Sequence, residues 1–243
     1  LERSFEKAML EGISFTAKVK AWHEEMQWVW TELKGQPMFE NGKFQHMLLV
    51  ARDISSQHNY EERLLHDAYS DVLTNLPNRR KLNELLKEAK SALMENYYFA
   101  VMLMDIDNFK HINDYYGHEI GDHVLVEYGK RLTKILDEIG IAGRYGGDEF
   151  VVLLPYRTQQ EVEEIATRIV TEMQRPIGIQ HTILSITTSI GVALVEEDVS
   201  IRKMLKRADD ALYKVKEQGK NDFYMVFSFS RDMIPLLPAR API

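Results

Sequence analysis

The chain has 243 residues, 45% of them hydrophobic, a formal net charge of −7 and no cysteine. This length and apolar content suit one large domain or two small ones, whereas the acidic balance argues against a general nucleic-acid binder. The lack of cysteine excludes disulfides and cysteine zinc sites, and the sequence shows neither a signal peptide nor an apolar run of transmembrane length.

The first 54 residues have a different pattern from the rest of the chain. Apolar residues at helical spacing within the first ten positions, followed by Gly12, predict a short amphipathic helix. Three β-rich runs come next, at residues 13–22, 26–33 and 44–54. The dipeptide Asn41-Gly42 predicts a tight hairpin turn between the last two runs.

A helix followed by three antiparallel strands, ending in Val50-Ala-Arg-Asp-Ile-Ser, resembles the C-terminal half of a PAS sensor domain. We therefore interpret residues 1–54 as a partial PAS-like α/β segment that lacks the front half of that fold. Apolar stripes are usually packing surfaces, so we expect a core or partner contact rather than a cofactor cleft at Trp22, Trp28, Trp30 and Phe44.

Residues 55–70 are charged and helix-prone and form a predicted linker. Leu65, Ala68 and Val72 follow a 3–4 spacing that Glu61 interrupts, so the coiled-coil pattern is incomplete. Two interpretations stay open. The helix either dimerises and transmits movement from a sensor to the next domain, or it is a solvated connector.

Residues 71–227 contain alternating helix and strand patterns. Helices are predicted at residues 79–96, 122–139, 159–174 and 201–218. A glycine hairpin is predicted at residues 141–154, and further strands are predicted at residues 99–107, 183–194 and 223–227. This order predicts an α+β fold with a palm-like central sheet flanked by helices. The proline-containing tail at 228–243 is predicted to be irregular.

Two acidic residues sit just past the predicted hairpin bend, in Arg-Tyr-Gly-Gly-Asp-Glu-Phe at 144–150. Glycine accepts the positive φ of a tight turn, so Gly146-Gly147 places Asp148 and Glu149 at the tip. Carboxylate oxygens suit a hard divalent cation such as Mg²⁺. Taken alone, this pattern fits an ordinary acidic turn equally well.

A second acidic stretch supports the metal interpretation. Residues 99–107 form an apolar run of the right length for a buried strand, which ends on Asp105 and Asp107. Ligands gather outside the carboxyl ends of strands in open α/β sheets. If this strand lies beside the hairpin, Asp105 and Asp148 converge on one metal ion, as in metal-assisted phosphoryl transfer.

These residues resemble the GGDEF diguanylate cyclases. The resemblance covers residues 68–227 and rests on five motifs in the family's order: Asp71-Val-Leu-Thr-Asn-Leu-Pro-Asn-Arg-Arg, Asp105-Ile-Asp-Asn-Phe-Lys-His-Ile-Asn-Asp-Tyr-Tyr-Gly-His-Glu-Ile-Gly-Asp, Arg144-Tyr-Gly-Gly-Asp-Glu-Phe, Thr188-Ser-Ile-Gly-Val-Ala and Arg207-Ala-Asp-Asp-Ala-Leu-Tyr. It implies a nucleotidyl-cyclase-type sheet and an enzyme that joins two GTP molecules into cyclic di-GMP, releasing two pyrophosphates. It also implies Mg²⁺ or Mn²⁺ as cofactor and a homodimer, because the two-fold product needs two facing sites.

The resemblance assigns the catalytic and metal-binding roles. Asp105, Asp148 and the carbonyl of Ile106 are the expected metal ligands. Glu149 either ligates a second metal ion or helps to deprotonate the attacking 3′-hydroxyl. Asp107 suits a ligand role and a structural hydrogen-bond acceptor role equally well.

The triphosphate is expected to lie against Asn108-Phe109-Lys110, whose backbone amides can bind phosphates. Lys216 and Lys220 are expected to reach the same phosphates; without the resemblance, both fit a solvated helix end. Relatives usually carry Arg where this chain has Lys220. Lysine keeps the charge but loses the bidentate fork, so a lower triphosphate affinity is expected.

The guanine base is expected to meet Asn113 and Asp122, with Leu125 packing on it. A carboxylate at Asp122 accepts from the guanine N1–H and amino group, which predicts a preference for GTP over ATP of roughly 1–3 kcal/mol. An alternative or additional role for Asp122 is the N-cap of the following helix. We expect structural rather than zinc-binding roles at His111, His118 and His123.

One departure from the family concerns regulation. Many relatives carry an Arg-x-x-Asp product-inhibition motif that begins nine residues before the first hairpin glycine, where this chain has Asp137-Glu-Ile-Gly140. Because an aspartate cannot clamp a phosphate-rich product, the feedback site is expected to be absent.

The leading interpretation is an active diguanylate cyclase controlled by a PAS-type sensor. The alternatives are a non-catalytic GTP-binding GGDEF module that regulates a missing domain, and a chain that acts mainly through its PAS-like segment. The expected partners are GTP and a second copy of the chain, with further sensor or effector domains in a longer parent protein. We expect no nucleic-acid partner, no membrane segment in this chain and a cytoplasmic location, unless the parent is membrane-tethered.

Overall fold

The computed structural model describes residues 1–25, 27–92, 98–179, 182–195 and 199–226. The chain divides into two compact units, Leu1–Asp67 and Ala68–Ile243. Among the described residues, no helix is both long and apolar enough to cross a lipid bilayer.

The first unit begins with a helix and a three-stranded antiparallel sheet. Helix α1 spans Glu2–Glu11 and ends at Gly12, whose left-handed φ of 69° lets its N–H donate to the Ala8 carbonyl. The strands follow in the sheet order β1 (Phe15–His23), β2 (Gln27–Glu40) and β3 (Lys43–Asp53). Asn41 and Gly42, with φ of 51° and 76°, make the predicted turn. The predicted helix and strands are confirmed, although β2 runs well past residue 33.

The sheet of the first unit contacts the next helix through Trp30. Helix α2 spans Ser55–Tyr69, and none of its residues is buried. The Trp30 indole stacks on the His58 imidazole with ring centroids 4.2 Å apart, and the backbone N–H of Trp30 donates to Ser55 Oγ. Trp22 and Trp28 instead lie edge to face and are mostly exposed. Trp30 therefore packs within the unit, whereas the other two tryptophans lie at its surface.

The second unit is a five-stranded main sheet between helices. Its helices are α3 (Arg79–Ala92), α4 (Phe109–Tyr116), α5 (His118–Leu136), α6 (Gln159–Met173) and α7 (Ile201–Glu217). Its strands are β4 (Tyr98–Ile106), β5 (Ile141–Gly146), β6 (Glu149–Tyr156), β7 (Ile177–Ile179), β8 (Thr182–Leu184), β9 (Thr188–Leu194) and β10 (Phe223–Val226). The sheet order is β10-β9-β4-β6-β5; β9 and β10 run parallel, and the other neighbours are antiparallel. The predicted α+β fold is confirmed.

Strand β4 is the middle strand of this sheet and is buried on both faces. Met102 and Met104 belong to a core with α5 and α6, whereas Val101 and Leu103 belong to a core with α3 and α7. Burial on both faces explains why the sequence of this strand is continuously apolar rather than alternating. The apolar run ends at Asp105, which is only partly buried, so the polar site begins at that residue.

The predicted start of α5 is wrong. The helix begins at His118 and not at Asp122, because Gly117, with φ of 87° and ψ of 160°, is a break between α4 and α5. Asp122 therefore lies inside α5 and is not its N-cap.

Other predicted boundaries also differ from the structure. The predicted phosphate-binding stretch at 108–110 is mainly the first turn of α4, since only residue 108 precedes the helix. The strand predicted at 183–194 is two strands, β8 and β9. The last residues of the helix predicted at 79–96 and the tail at 228–243 lie outside the described residues.

Candidate active site

Acidic residues lie side by side where β4 ends and the β5–β6 hairpin turns. The register pairs Asp105 with Glu149 across the β4–β6 ladder, and Asp148 precedes Glu149 in the turn. Gly147 supplies the left-handed φ of 52° in this turn, a conformation that glycine adopts without steric cost. The strand end and the hairpin therefore present their carboxylates at one edge of the sheet.

These carboxylates repel one another in a partly buried setting. Burial raises the pKa of Asp105, and the charges of Asp148 and Asp107 raise it further. Burial also raises the pKa of Glu149, with the Asp105 and Asp148 charges adding to the rise. A cation among them opposes both effects, because an opposite charge favours the ionised form.

An ammonium group already lies against these carboxylates. Lys216 on α7 places its Nζ 2.8 Å from Asp105 Oδ2 and opposes the rise in the pKa of both Asp105 and Glu149. Within the described part of the chain, no group of three or more His, Asp or Glu side chains is arranged to hold a metal ion. The oxygen donors of the site nevertheless suit a hard divalent cation, and Lys216 supplies a positive charge at the same place.

Asp107 is 5% exposed and has the contacts of a structural acceptor. Its Oδ1 accepts from Ser189 Oγ at 2.7 Å. Its Oδ2 accepts from Thr187 Oγ1 at 2.6 Å and from the Asn221 N–H at 3.1 Å. Of the two roles that the sequence left open, these contacts support the hydrogen-bond acceptor.

The residues of the predicted phosphate site take different positions. Asn108 precedes α4 with a left-handed φ of 58°, and its Oδ1 accepts from Lys220 Nζ at 2.7 Å. Phe109 is buried in the core, whereas Lys110 is exposed in the first turn of α4. The N–H groups in the first turn of a helix lack intrahelical acceptors and carry partial positive charge, so this end of α4 suits an anion.

The predicted base-binding residues lie on α4 and α5. Gly121 leaves room for Asn113, because a Cβ at residue 121 would lie 1.9 Å from Asn113 Oδ1. The next residue, Asp122, is exposed. Leu125 is 2% exposed, so it offers a base little surface. The part played by Gly121 has no signal in the sequence, since it depends on how the two helices pack.

Sequence reasoning also misses a buried hydroxyl pair behind Asp105. Thr188 Oγ1 donates to the Asp105 carbonyl at 3.0 Å and lies 2.6 Å from the Tyr128 hydroxyl. Because the Thr188 hydroxyl proton is donated to the Asp105 carbonyl, Tyr128 is the donor in the bond between the two hydroxyls. Burial raises the pKa of Tyr128 far above its usual value and keeps the phenol protonated. Tyr128 follows the apolar stripe of α5, so its sequence pattern signals only packing.

Arg144 supports the hairpin turn. Its Nε and Nη2 donate to the Gly147 carbonyl at 2.9 and 2.8 Å, and its Nη1 donates to Asp71 Oδ1 at 3.0 Å. Asp71 also accepts from the N–H and the hydroxyl of Thr74. Although burial opposes the shift, the hydrogen bonds from Thr74 and Arg144 lower the pKa of Asp71. The turn next to Asp148 is therefore tied to the first residues of the second unit.

A mixed sheet flanked by helices, with an acidic hairpin next to the end of β4, is the fold and site that the resemblance to diguanylate cyclases implies. The sequence model of the family described as "Diguanylate cyclase, GGDEF domain" matches residues 68–222. The chain belongs to this GGDEF diguanylate cyclase family.

Known relatives are similar to a large part of the chain. The bifunctional diguanylate cyclase/cyclic di-GMP phosphodiesterase MucR of Pseudomonas aeruginosa is 37% identical over 66% of this chain. The diguanylate cyclase DgcM of Escherichia coli is 37% identical over 72% of it. This chain spans 24% of the length of MucR and 42% of the length of DgcM.

A solved structure is also similar. The coiled coil and GGDEF domain of DgcB from Caulobacter crescentus, in complex with c-di-GMP, has a TM-score of 0.68 and 29% identity, covering 71% of this chain and 93% of that one. The PAS-like interpretation of residues 1–54 stays a prediction.

Proposed function

We propose that the second unit is a diguanylate cyclase, which joins two GTP molecules into cyclic di-GMP and releases two pyrophosphates. The observation that carries the proposal is the pairing of Asp105 with Glu149 at the sheet edge, where Lys216 and Lys220 also reach the end of β4. Carboxylates suit a divalent cation, and ammonium groups suit a triphosphate. Membership of the family supports the same assignment.

In each of two steps, the 3′-hydroxyl oxygen of one GTP bonds to the α-phosphorus of the other, and the bond from that phosphorus to the pyrophosphate breaks. Asp105 and Asp148, with the Ile106 carbonyl, would hold Mg²⁺ or Mn²⁺, which neutralises phosphate charge when bound. Glu149 serves either as a further ligand or as the acceptor of the 3′-hydroxyl proton. When GTP binds, the Lys216 ammonium group would leave Asp105 and pair with a phosphate oxygen of the substrate.

Substrate choice is assigned to the α4–α5 pair. Asp122 accepts from the N1–H and amino group of guanine, and Asn113 meets the neighbouring edge of the base. Adenine offers no N1–H, so it would leave the Asp122 carboxylate without its partner. We therefore propose GTP rather than ATP as the substrate.

Assembly and control complete the proposal. The second unit of each chain binds one GTP, and the product is two-fold symmetric, so the second units of two copies of the chain must face each other. The PAS-like segment is the proposed sensor, and α2 is the proposed connection to the cyclase. Asp137 and Gly140 stand where many relatives have a product-binding arginine and aspartate, so feedback inhibition is proposed to be absent.

The test is incubation of the chain with GTP and Mg²⁺, with the products separated by chromatography. We expect cyclic di-GMP and pyrophosphate from the wild type and neither from Asp148→Ala. Specific activity should fall on dilution below the dimer dissociation constant. GTP binding without turnover would favour a non-catalytic module, and full activity in a monomeric sample would refute the facing-site mechanism.

A further inference from the structure

We propose that Asp107 is a positioning residue for the triphosphate end of the nucleotide, acting through the turn that carries Lys220 and not as a metal ligand. The inference rests on the proposed function, since it assumes that the second unit binds GTP. Its basis is a set of hydrogen bonds that joins the end of β4 to the turn between α7 and β10.

Asp107 connects segments that are far apart in the sequence. Its Oδ1 accepts from Ser189 in β9, and its Oδ2 accepts from Thr187 and from the Asn221 N–H. Its own N–H donates to the Thr187 carbonyl at 3.0 Å. A buried carboxylate is tolerated only when hydrogen bonds replace its lost hydration, and these three donors do so. The α7–β10 turn is thereby attached to the end of β4.

The attached turn has an unfavourable backbone conformation. Lys220 and Asn221 have φ of 67° and 54°, after Gly219 with φ of 117°. Left-handed conformations cost roughly 1–2 kcal/mol at each non-glycine residue, although asparagine tolerates them better than most. The turn therefore needs contacts that hold it. The Lys220 N–H donates to the Val215 carbonyl, and the Asn221 N–H donates to Asp107.

The same turn sets the place of the Lys220 ammonium group. Lys220 Nζ donates to Asn108 Oδ1 at 2.7 Å, at the N-terminal end of α4. The neighbours Asp107 and Asn108 thus hold Lys220 and Asn221 twice, once through the backbone and once through the side chain. A lysine has a flexible stem, so fixing its backbone lowers the entropy lost when it binds a phosphate. Asp107 should therefore matter for the triphosphate and not for the base.

The chemistry of the amide separates this role from metal ligation. An asparagine at position 107 can direct its NH₂ group toward Ser189, whose hydroxyl can rotate to accept, and keep its oxygen for Thr187 and Asn221. Asp107→Asn is therefore expected to preserve the turn. A metal ligand would lose its anionic oxygen in the same variant.

The experiment measures the binding of two nucleotides to the full chain by titration calorimetry with Mn²⁺ present. The first is 3′-deoxy-GTP, which lacks the attacking hydroxyl, and the second is GMP, which lacks the β- and γ-phosphates. We expect Asp107→Ala to weaken 3′-deoxy-GTP binding about tenfold, the loss of one charged contact, and to leave GMP binding unchanged. Ser189→Ala is the matched control: it removes a bond to the same carboxylate but leaves the turn attached, so both affinities should stay at the wild-type values.

A double-mutant cycle identifies the route of the effect. Lys220→Met should weaken 3′-deoxy-GTP binding by a similar factor, and adding Asp107→Ala should cause no further loss, because both changes remove the same contact. Additive losses, or an equal loss of GMP binding, would overturn the inference. If Asp107→Ala does not fold, Thr187→Val replaces it in the cycle. Unlike Ser189→Ala, it removes the bond to Oδ2, the oxygen that also accepts from the Asn221 N–H, so a smaller loss is expected for 3′-deoxy-GTP alone.

Two further outcomes are decisive. Asp107→Asn should bind Mn²⁺ and 3′-deoxy-GTP as the wild type does, and a loss of Mn²⁺ affinity in that variant would make Asp107 a ligand and overturn the inference. A wild-type chain that binds neither nucleotide would instead refute the proposed function. The two failures are thus distinguishable.

Discussion

Lys216 and Asp105 form an ion pair at the candidate active site, with 2.8 Å between Nζ and Oδ2. The Asp105 side chain is 13% exposed and the Lys216 side chain 36%. The pair joins α7 to the end of β4, and it sits beside Glu149, whose charge would otherwise face Asp105 without compensation. This contact links the stability of the second unit to the same residues that the proposed chemistry uses.

Lys216→Met should lower the free energy of unfolding by about 1–3 kcal/mol, because the Asp105 carboxylate stays mostly buried and loses its partner. Chemical denaturation without divalent cations measures this change. Lys203→Met, at an exposed position of the same helix, is the control and should have little effect. Equal stability of the Lys216 variant and the wild type would show that the ion pair contributes nothing.

Asp71→Asn should destabilise the protein in a pH-dependent manner. The folded-state pKa of Asp71 is lowered, so its stabilising effect is present above the unfolded-state pKa of about 4 and is lost as the pH falls through the folded-state pKa. We expect a loss of about 1–2 kcal/mol at pH 7 that shrinks below about pH 4. Denaturation at several pH values measures it, with the exposed Asp114→Asn as control. A stability difference between Asp71→Asn and the wild type that does not change with pH would show that the charge of Asp71 is not the cause.

The Tyr128–Thr188 pair should behave as a unit that supports Asp105. Tyr128→Phe removes the donor to Thr188, and Thr188→Val removes the bond to the Asp105 carbonyl, at about 1–2 kcal/mol each. The double variant should lose less than the sum of the two, because both changes break one chain of hydrogen bonds. Denaturation gives the coupling energy, and kcat should fall in both single variants. If the two losses in the free energy of unfolding were strictly additive, the two hydroxyls would contribute independently.

Gly121→Ala should separate stability from base recognition. The added Cβ would displace the Asn113 side chain, which can swing away, and would lie 3.3 Å from Cζ of the buried Phe109 ring. Alanine favours the helix over glycine by roughly 0.5–1 kcal/mol, which offsets the tight contact with Phe109. We therefore expect little net change in stability together with a raised KM for GTP and weaker discrimination against ATP. Gly178→Ala, where a Cβ meets nothing within 4 Å, is the control. An unchanged KM for GTP would show that Asn113 does not contact the base.

Cyclic di-GMP should not strongly inhibit the proposed cyclase activity. Asp137 is exposed at the C-terminal end of α5, and a Cβ at Gly140 would lie 3.0 Å from the Leu153 carbonyl, so neither position offers a clamp for phosphates. Initial rates with micromolar product added measure this. Strong non-competitive inhibition would mean that the product binds elsewhere on the chain.

Local patterns in the sequence are enough to predict most of the elements. The apolar run of β4 indicates a strand buried on both faces, and the glycine pair before Asp148 indicates a turn. Both can be predicted because each depends on residues that are close together in the chain. The start of α5 is the exception. Its first turn, His118-Glu-Ile-Gly121, has a single large apolar residue and ends in glycine, so the apolar stripe becomes visible only later, and Asp122 resembles a cap that the structure does not use.

The sequence alone thus identifies the acidic residues of the site and their neighbours in the motifs. It does not show which other residues they contact. Asp107 meets Ser189 and Asn221 across 82 and 114 positions, and Lys216 meets Asp105 from a helix near the other end of the unit. Such pairs have no local pattern, because they depend on which strands and helices become neighbours in the sheet. Only the tertiary structure therefore decides that Asp107 is an acceptor and that a lysine opposes the charge of Asp105.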